Sequence, residues 1–126
     1  MFDEPVDARW SAEFLRDPRH HLAVALDEED GGDAPRVVGM ASGVHYVHPD
    51  KAPQLWINEV GVAPSHHGRG IGTRLVRALL DHARTLGCTE AWVLTSPTNA
   101  AARRMYASAG GEEADEAPVM VEFDLR

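Results

Sequence analysis

Residues 55 to 87 constrain the fold more than any other stretch. Leu55-Trp56-Ile57-Asn58-Glu59-Val60-Gly61-Val62 is rich in β-branched and aromatic residues and stops at Pro64, which cannot donate to a ladder, so it predicts a strand. Gly61 inside it predicts a bulge. Beyond the turn, Ile71, Leu75, Leu79 and Ala83 fall four apart with Val76 and Leu80 beside them, and Gly87 stands where a helix would end. A strand therefore runs through a turn, His66-His67-Gly68-Arg69-Gly70-Ile71-Gly72, into a helix.

Gly68, Gly70 and Gly72 remove side chains where the free N–H groups of a helix start point outward, with the positive end of the helix dipole behind them. That combination suits an anion, most naturally phosphate. A glycine-rich turn that merely reverses the chain is the alternative, but three alternate glycines with Arg69 exceed what a turn requires. A dinucleotide fold needs an acidic residue about 20 positions on and further βαβ units. The next strand, Ala91 to Thr95, ends instead in Ser96-Pro97, and too little chain follows. A P-loop needs Gly-Lys-Ser/Thr, and no Lys stands in this turn.

The turn, with its strand and helix, resembles the acyl-CoA site of the GNAT (GCN5-related N-acetyltransferase) superfamily, whose fingerprint is Arg or Gln, two residues, Gly, one residue, Gly or Ala. His67 occupies the leading position here, a departure that leaves the backbone cradle intact. Downstream, Asn99, Ala102 and Tyr106 match a second signature, Asn-x-x-Ala-x-x-x-Tyr, followed by Ala109-Gly110. Within the superfamily, Tyr46-Val47-x-Pro49 and Ile57 to Val62 look most like the aminoglycoside 3-N-acetyltransferases.

Taken in order, the chain predicts a helix from Val6 to Arg16 closed by Pro18, a strand His21 to Leu26, an acidic Gly-rich loop Asp27 to Pro35 and a strand Arg36 to Val47. The central strand and motif helix follow, then the strand Ala91 to Thr95, a helix Asn99 to Ala109 and a last strand Val119 to Leu125. This order, αβββαβαβ, gives an α/β fold with a mixed sheet flanked by helices in one domain, residues 1–126. Against the resembled family it lacks the usual first strand and helix. The edge left at His21 to Leu26 and the apolar alternation of Val119 to Leu125 predict a homodimer.

The resemblance implies acyl transfer from acetyl-CoA, as co-substrate, to a primary amine. Glu59 matches the position of a base that removes the ammonium proton, often through water; a strand-end carboxylate facing solvent or pairing with an Arg is the alternative. Tyr106 matches the acid for the departing thiolate, and it can fill the core at the same time. The implied cofactor-binding set is Val60, Gly61, Val62, His67, Gly68, Arg69, Gly70, Ile71, Gly72, Thr73 and Asn99, the backbone of Val60 to Val62 holding the thioester oxygen. His45 lines the acceptor cleft or is an exposed strand histidine.

Six of the seven histidines fall as His20-His21, His45-x-x-His48 and His66-His67, but no spacing converges three or four ligands, so no metal is expected. A net charge of −8 argues against nucleic acid and an anionic membrane surface and favours cationic ligands. The lone Cys88 excludes an internal disulfide and, with no signal peptide or long apolar run, points to the cytoplasm. The acidic runs Asp27 to Asp30 and Glu112 to Glu116 are solvated loops unless one overhangs the acceptor, where it would favour polycationic amines such as an aminoglycoside or polyamine. Two other readings remain: an acyl-CoA-binding module without activity, suggested by His67 and by Gly111 where the family usually has Phe, and a protein N-acetyltransferase.

Overall fold

The computed structural model describes residues 1–28 and 34–126; most of the predicted acidic loop, residues 29–33, lies outside the described residues. Helix α1 (Ala8–Arg16) starts where the Asp7 carboxylate accepts the backbone N–H groups of Arg9 and Trp10 at 2.9 and 3.0 Å. It stops at Asp17, whose helical conformation the following Pro18 disfavours. The chain continues as β1 (His20–Asp27), β2 (Arg36–Tyr46), β3 (Gln54–Val62), α2 (Ile71–Thr85), β4 (Glu90–Val93) and α3 (Ala100–Ser108).

The four strands lie in the order β1-β2-β3-β4, the first three antiparallel and the last parallel to β3. Helix α2 covers one face. Its Leu75, Val76, Leu79 and Ala83 pack on Ala41, Leu55 and Ile57 to form the core, and each large apolar side chain so buried contributes roughly 1.5–3 kcal/mol. The helix ends as its sequence indicated. The Gly87 N–H bonds the Arg84 carbonyl and the Cys88 N–H the Ala83 carbonyl, both at 3.1 Å, which satisfies two carbonyls that the last turn leaves free.

On the opposite face α1 packs beside β1, with the Phe14 and His20 rings 5.3 Å apart. Both faces of β2 are covered, so Val38, Met40, Ala41 and Ser42 are all buried.

Three sequence expectations are corrected. The register irregularity in β3 falls at Asn58, where Ser42 pairs with Glu59 and Gly43 with Ile57; it is not at Gly61, which pairs with Met40. Strand β4 ends at Val93 rather than Thr95. Residues 119–125 form no strand: Val119, Val121, Phe123 and Leu125 keep the alternation, but no strand among the described residues pairs with them and they are 67–93% exposed. Alternation supplies a face for a strand, and only a neighbouring edge makes it one.

Candidate active site

The turn after β3 is folded against the sheet before it opens at the start of α2. The Ala63 N–H bonds the Val38 carbonyl at 2.7 Å, and Pro64–His66 make one 3-10 turn. The His67 ring turns back so that Nε2 lies 2.7 Å from the Val62 carbonyl, which requires the proton on that nitrogen. Gly68 and Gly70 then take φ of 74° and 75°, a left-handed conformation that strains other residues. Among the described residues nothing lies within 4 Å of where a side chain would begin at either, which leaves space in front of both.

Gly70 begins α2 with no side-chain cap and no acidic residue in the first turn. The first helical bond runs from the Arg74 N–H to the Gly70 carbonyl at 3.1 Å, so the N–H groups of Ile71, Gly72 and Thr73 have no partner inside the helix. Gly72 has a different task. A Cβ there would run into the Met105 sulfur, so its bareness lets α3 sit against α2.

Beside this turn the sheet opens. Strand β4 pairs with β3 only from Gln54 to Ile57, so the second half of β3 has no strand neighbour on that side among the described residues. Because the Ala63 N–H points to β2, strand alternation turns the N–H groups of Val62 and Val60 the other way, into the gap. Gly61 faces a different surface: a Cβ there would lie 2.7 Å from the Met1 carbonyl oxygen, so this residue admits the N-terminal backbone.

Glu59 stands at the mouth of the gap, on the face opposite α2. One carboxylate oxygen, Oε2, is buried and has no hydrogen-bond partner among the described residues. Tyr106, on α3, packs against the α2-side core, and burial pushes its hydroxyl above the usual tyrosine range, so it holds its proton at neutral pH. Asn99 caps α3, its Oδ1 accepting the Ala102 N–H at 3.1 Å. An uncapped helix start, a parted sheet edge with the Val60 and Val62 N–H groups turned into the gap, and a carboxylate oxygen with no partner among the described residues thus lie along one strand–turn–helix segment.

The model of the acetyltransferase (GNAT) family matches residues 1–110. The chain belongs to the acetyltransferase (GNAT) family. Curated GNAT relatives include the L-2,4-diaminobutyric acid acetyltransferases of Nocardia farcinica, 36% identical over 58% of this chain and 37% of that protein, and of Streptomyces coelicolor, 34% identical over 83% and 60%. The chain therefore spans about 37% and 60% of these two proteins. The fold is also that of an aminoglycoside acetyltransferase from an uncultured soil metagenomic sample in complex with sisomicin, with a TM-score of 0.82, 21% identity, and coverage of 99% of this chain and 78% of that one. An aminoglycoside N-acetyltransferase in complex with CoA superimposes with a TM-score of 0.74 at 22% identity, over 92% and 85%.

Set on this GNAT frame, His45 lies apart from Glu59. It shares the α2 side of the sheet with His21, whose Nε2 is 2.7 Å from His45 Nδ1, and the His21 ring meets that of His82 edge-on at 4.8 Å. Burial, then His82, His45 and His20, hold His21 below the usual histidine range. Among the described residues no group of three or more His, Cys, Asp or Glu is placed to hold a metal. Cys88 is half-buried, and burial raises its thiol above the ordinary range, away from a reactive thiolate.

A depression of about 520 Å3 lies between β1 and α2 and is lined by residues such as Ala25, Val38, His66, Arg69, Ile71 and Arg74. It is on the β1 side of α2, away from the β3–β4 gap.

Sequence reasoning missed two arrangements. His66 is buried against Asp27, and Trp56 stacks on Trp92 with Tyr46 bonded to the second indole. Both depend on which strands are neighbours, and no local pattern carries that information.

Proposed function

We propose that this chain transfers the acetyl group of acetyl-CoA to a primary amine of a small cationic molecule. One observation carries the reading: Glu59 has a carboxylate oxygen with no partner among the described residues where β3 parts from β4, on the strand that leads through the glycine turn into the uncapped N-terminus of α2. The pyrophosphate lies on the N–H groups around Gly68 to Thr73, where the open glycines and the helix dipole favour negative charge. His67 and Arg69 border the cradle, and Asn99 borders the far side of the gap from the start of α3. The thioester enters the gap, its carbonyl oxygen facing the N–H groups of Val60 and Val62. In this cofactor-binding set Ile71 contributes its backbone N–H, and Gly61, whose own N–H faces β2, spaces Val60 from Val62.

An alkylammonium has a pKa near 10, so the acceptor must lose a proton before it can attack. Glu59 takes that proton, directly or through water. The amine then forms the C–N bond, the tetrahedral intermediate collapses with cleavage of C–S, and Tyr106 protonates the departing CoA thiolate. Relatives named for diaminobutyric acid and neighbours named as aminoglycoside acetyltransferases support a small amine acceptor. A cytoplasmic setting and a homodimer complete the proposal, the latter supported by the position of β1 and β4 at the ends of the sheet.

A second reading, an acyl-CoA binder without activity, is favoured by the His67 ring, which is engaged by the Val62 carbonyl. Thiol release from acetyl-CoA, assayed across diamines, aminoglycosides, polyamines and peptides, separates the two. Release with small amines is expected; acetyl-CoA binding without release for any amine would leave only the silent binder, and release with peptides alone would make the chain a protein acetyltransferase.

A further inference from the structure

Trp56 and Glu59 are three residues apart, so an unbroken strand would point them to opposite faces. The bulge at Asn58 removes one step. Trp56 pairs with Val44 and Glu59 with Ser42, two positions apart on β2, which puts both side chains on the face opposite α2, roughly 7 Å apart along the strand. Trp92 lies beside Trp56 on β4, and the two indoles stack with centroids 5.0 Å apart and planes 12° apart. The Trp92 Nε1–H donates to the Tyr46 hydroxyl at 3.0 Å, which fixes the orientation of the pair. Trp56 is 38% exposed, so part of its ring is open to a ligand.

The border of this platform is acidic and polar. Glu90 shares the face with Trp92 and accepts a hydrogen bond from Gln54 at 3.0 Å, Glu59 lies on the other side, and Lys51, in the turn before β3, is paired with Asp50. Indole faces carry negative potential, so carboxylates at both ends make this a place for a cation.

We infer that Trp56, backed by Trp92, is the subsite for a second cationic group of the acceptor, held about 7 Å from the amine that reacts at Glu59. The inference rests on the acetyltransferase reading and adds to it the acceptor's shape: a diamine, or a ring bearing two amines, with that separation. Trp56 is thereby a specificity-determining residue that takes no part in proton transfer. The same platform disfavours acceptors that carry a carboxylate at this distance, because it would face Glu90.

The test uses 1,6-diaminohexane and hexylamine, which share a reacting end and differ in the second cation. In the wild type the diamine should have the higher kcat/KM. Trp56→Leu keeps apolar bulk and loses the π face, so it should raise the diamine KM roughly two- to thirtyfold, the range expected for a cation on an indole. Hexylamine and acetyl-CoA KM values should not move, and Trp56→Phe should fall between. Equal effects on the two amines, or none on the diamine, would overturn the subsite.

Titration of the CoA-loaded protein with 1,6-diaminohexane, followed by the indole N–H resonances, keeps this separate from the reaction. A shifted Trp56 indole without acetyl transfer supports the subsite and rejects the catalytic reading. Acetyl transfer to the diamine with no Trp56 shift does the reverse.

Discussion

His66 Nε2 lies 2.6 Å from Asp27 Oδ2, a pairing that joins residues 39 apart and ties the turn before α2 to the end of β1. Both side chains are largely buried, and His66 Nδ1 is also 2.7 Å from the Ser65 hydroxyl. Removing a partner from a buried charge-assisted hydrogen bond costs about 1.5–3 kcal/mol. His66→Leu should therefore lower stability by about that amount and raise the KM for acetyl-CoA more than it lowers kcat, because the cradle loses its anchor. Chemical denaturation and steady-state kinetics measure the two effects; an unchanged acetyl-CoA KM would show that the turn keeps its shape without the pair.

Acetyl-CoA should raise the melting temperature, since a ligand that binds only the folded state adds about 2.7 kcal/mol at a hundredfold excess over Kd. Gly70→Asp should abolish that shift by placing a carboxylate among the phosphates. Gly70→Asn, which tolerates the left-handed conformation and carries no charge, should retain more of it. Equal ligand-induced shifts in wild type and Gly70→Asp would remove the phosphates from this turn.

Glu59→Gln should depress the rate most near neutrality and recover as the pH approaches about 10, where the amine loses its proton unaided. Tyr106→Phe should lower kcat with little change in acetyl-CoA affinity, because only the departing thiolate needs the proton. Burial raises the Tyr106 pKa, so loss of its proton should not limit the rate below about 10, the ordinary tyrosine value. A pH–rate profile of the three proteins decides this; a Glu59→Gln profile that matches the wild type would place the base elsewhere.

His21, packed between β1, β2 and α2, makes stability fall in acid. His21 has its pKa lowered by burial and by His82, His45 and His20, so the folded state favours its neutral form. Its contribution is present above the unfolded value of about 6.5 and is lost as the pH falls through the depressed folded value. Melting temperatures at pH 8 and pH 5 should differ less in His21→Gln than in the wild type, and an equal difference would assign the acid sensitivity to other groups.

The edges of β1 and β4 and the exposed residues 119–125 should be covered in a homodimer burying at least about 1,000 Å2. Sedimentation at micromolar concentration should give twice the chain mass, and a chain truncated after Pro118 should show whether residues 119–125 form the contact. A fully active monomer would reject the dimer.

The strand–turn–helix that frames the candidate site was legible in the sequence because it is local. The Pro64 stop, the glycines at 68 and 70, the four-residue repeat of Ile71, Leu75 and Leu79 and the end at Gly87 each act through neighbours within one or two turns, so type and spacing were sufficient. What depended on pairing was decided only in three dimensions. Residues 119–125 have the alternation of a strand but pair with no strand among the described residues, while β4 stops at Val93 and so opens the gap beside β3. Strict alternation would put Glu59 and Trp56 on opposite faces, and Asn58, set out of register against β2, brings them onto one. A bulge is settled by the hydrogen bonds of the partner strand and by what packs on either face, and those residues are distant in sequence.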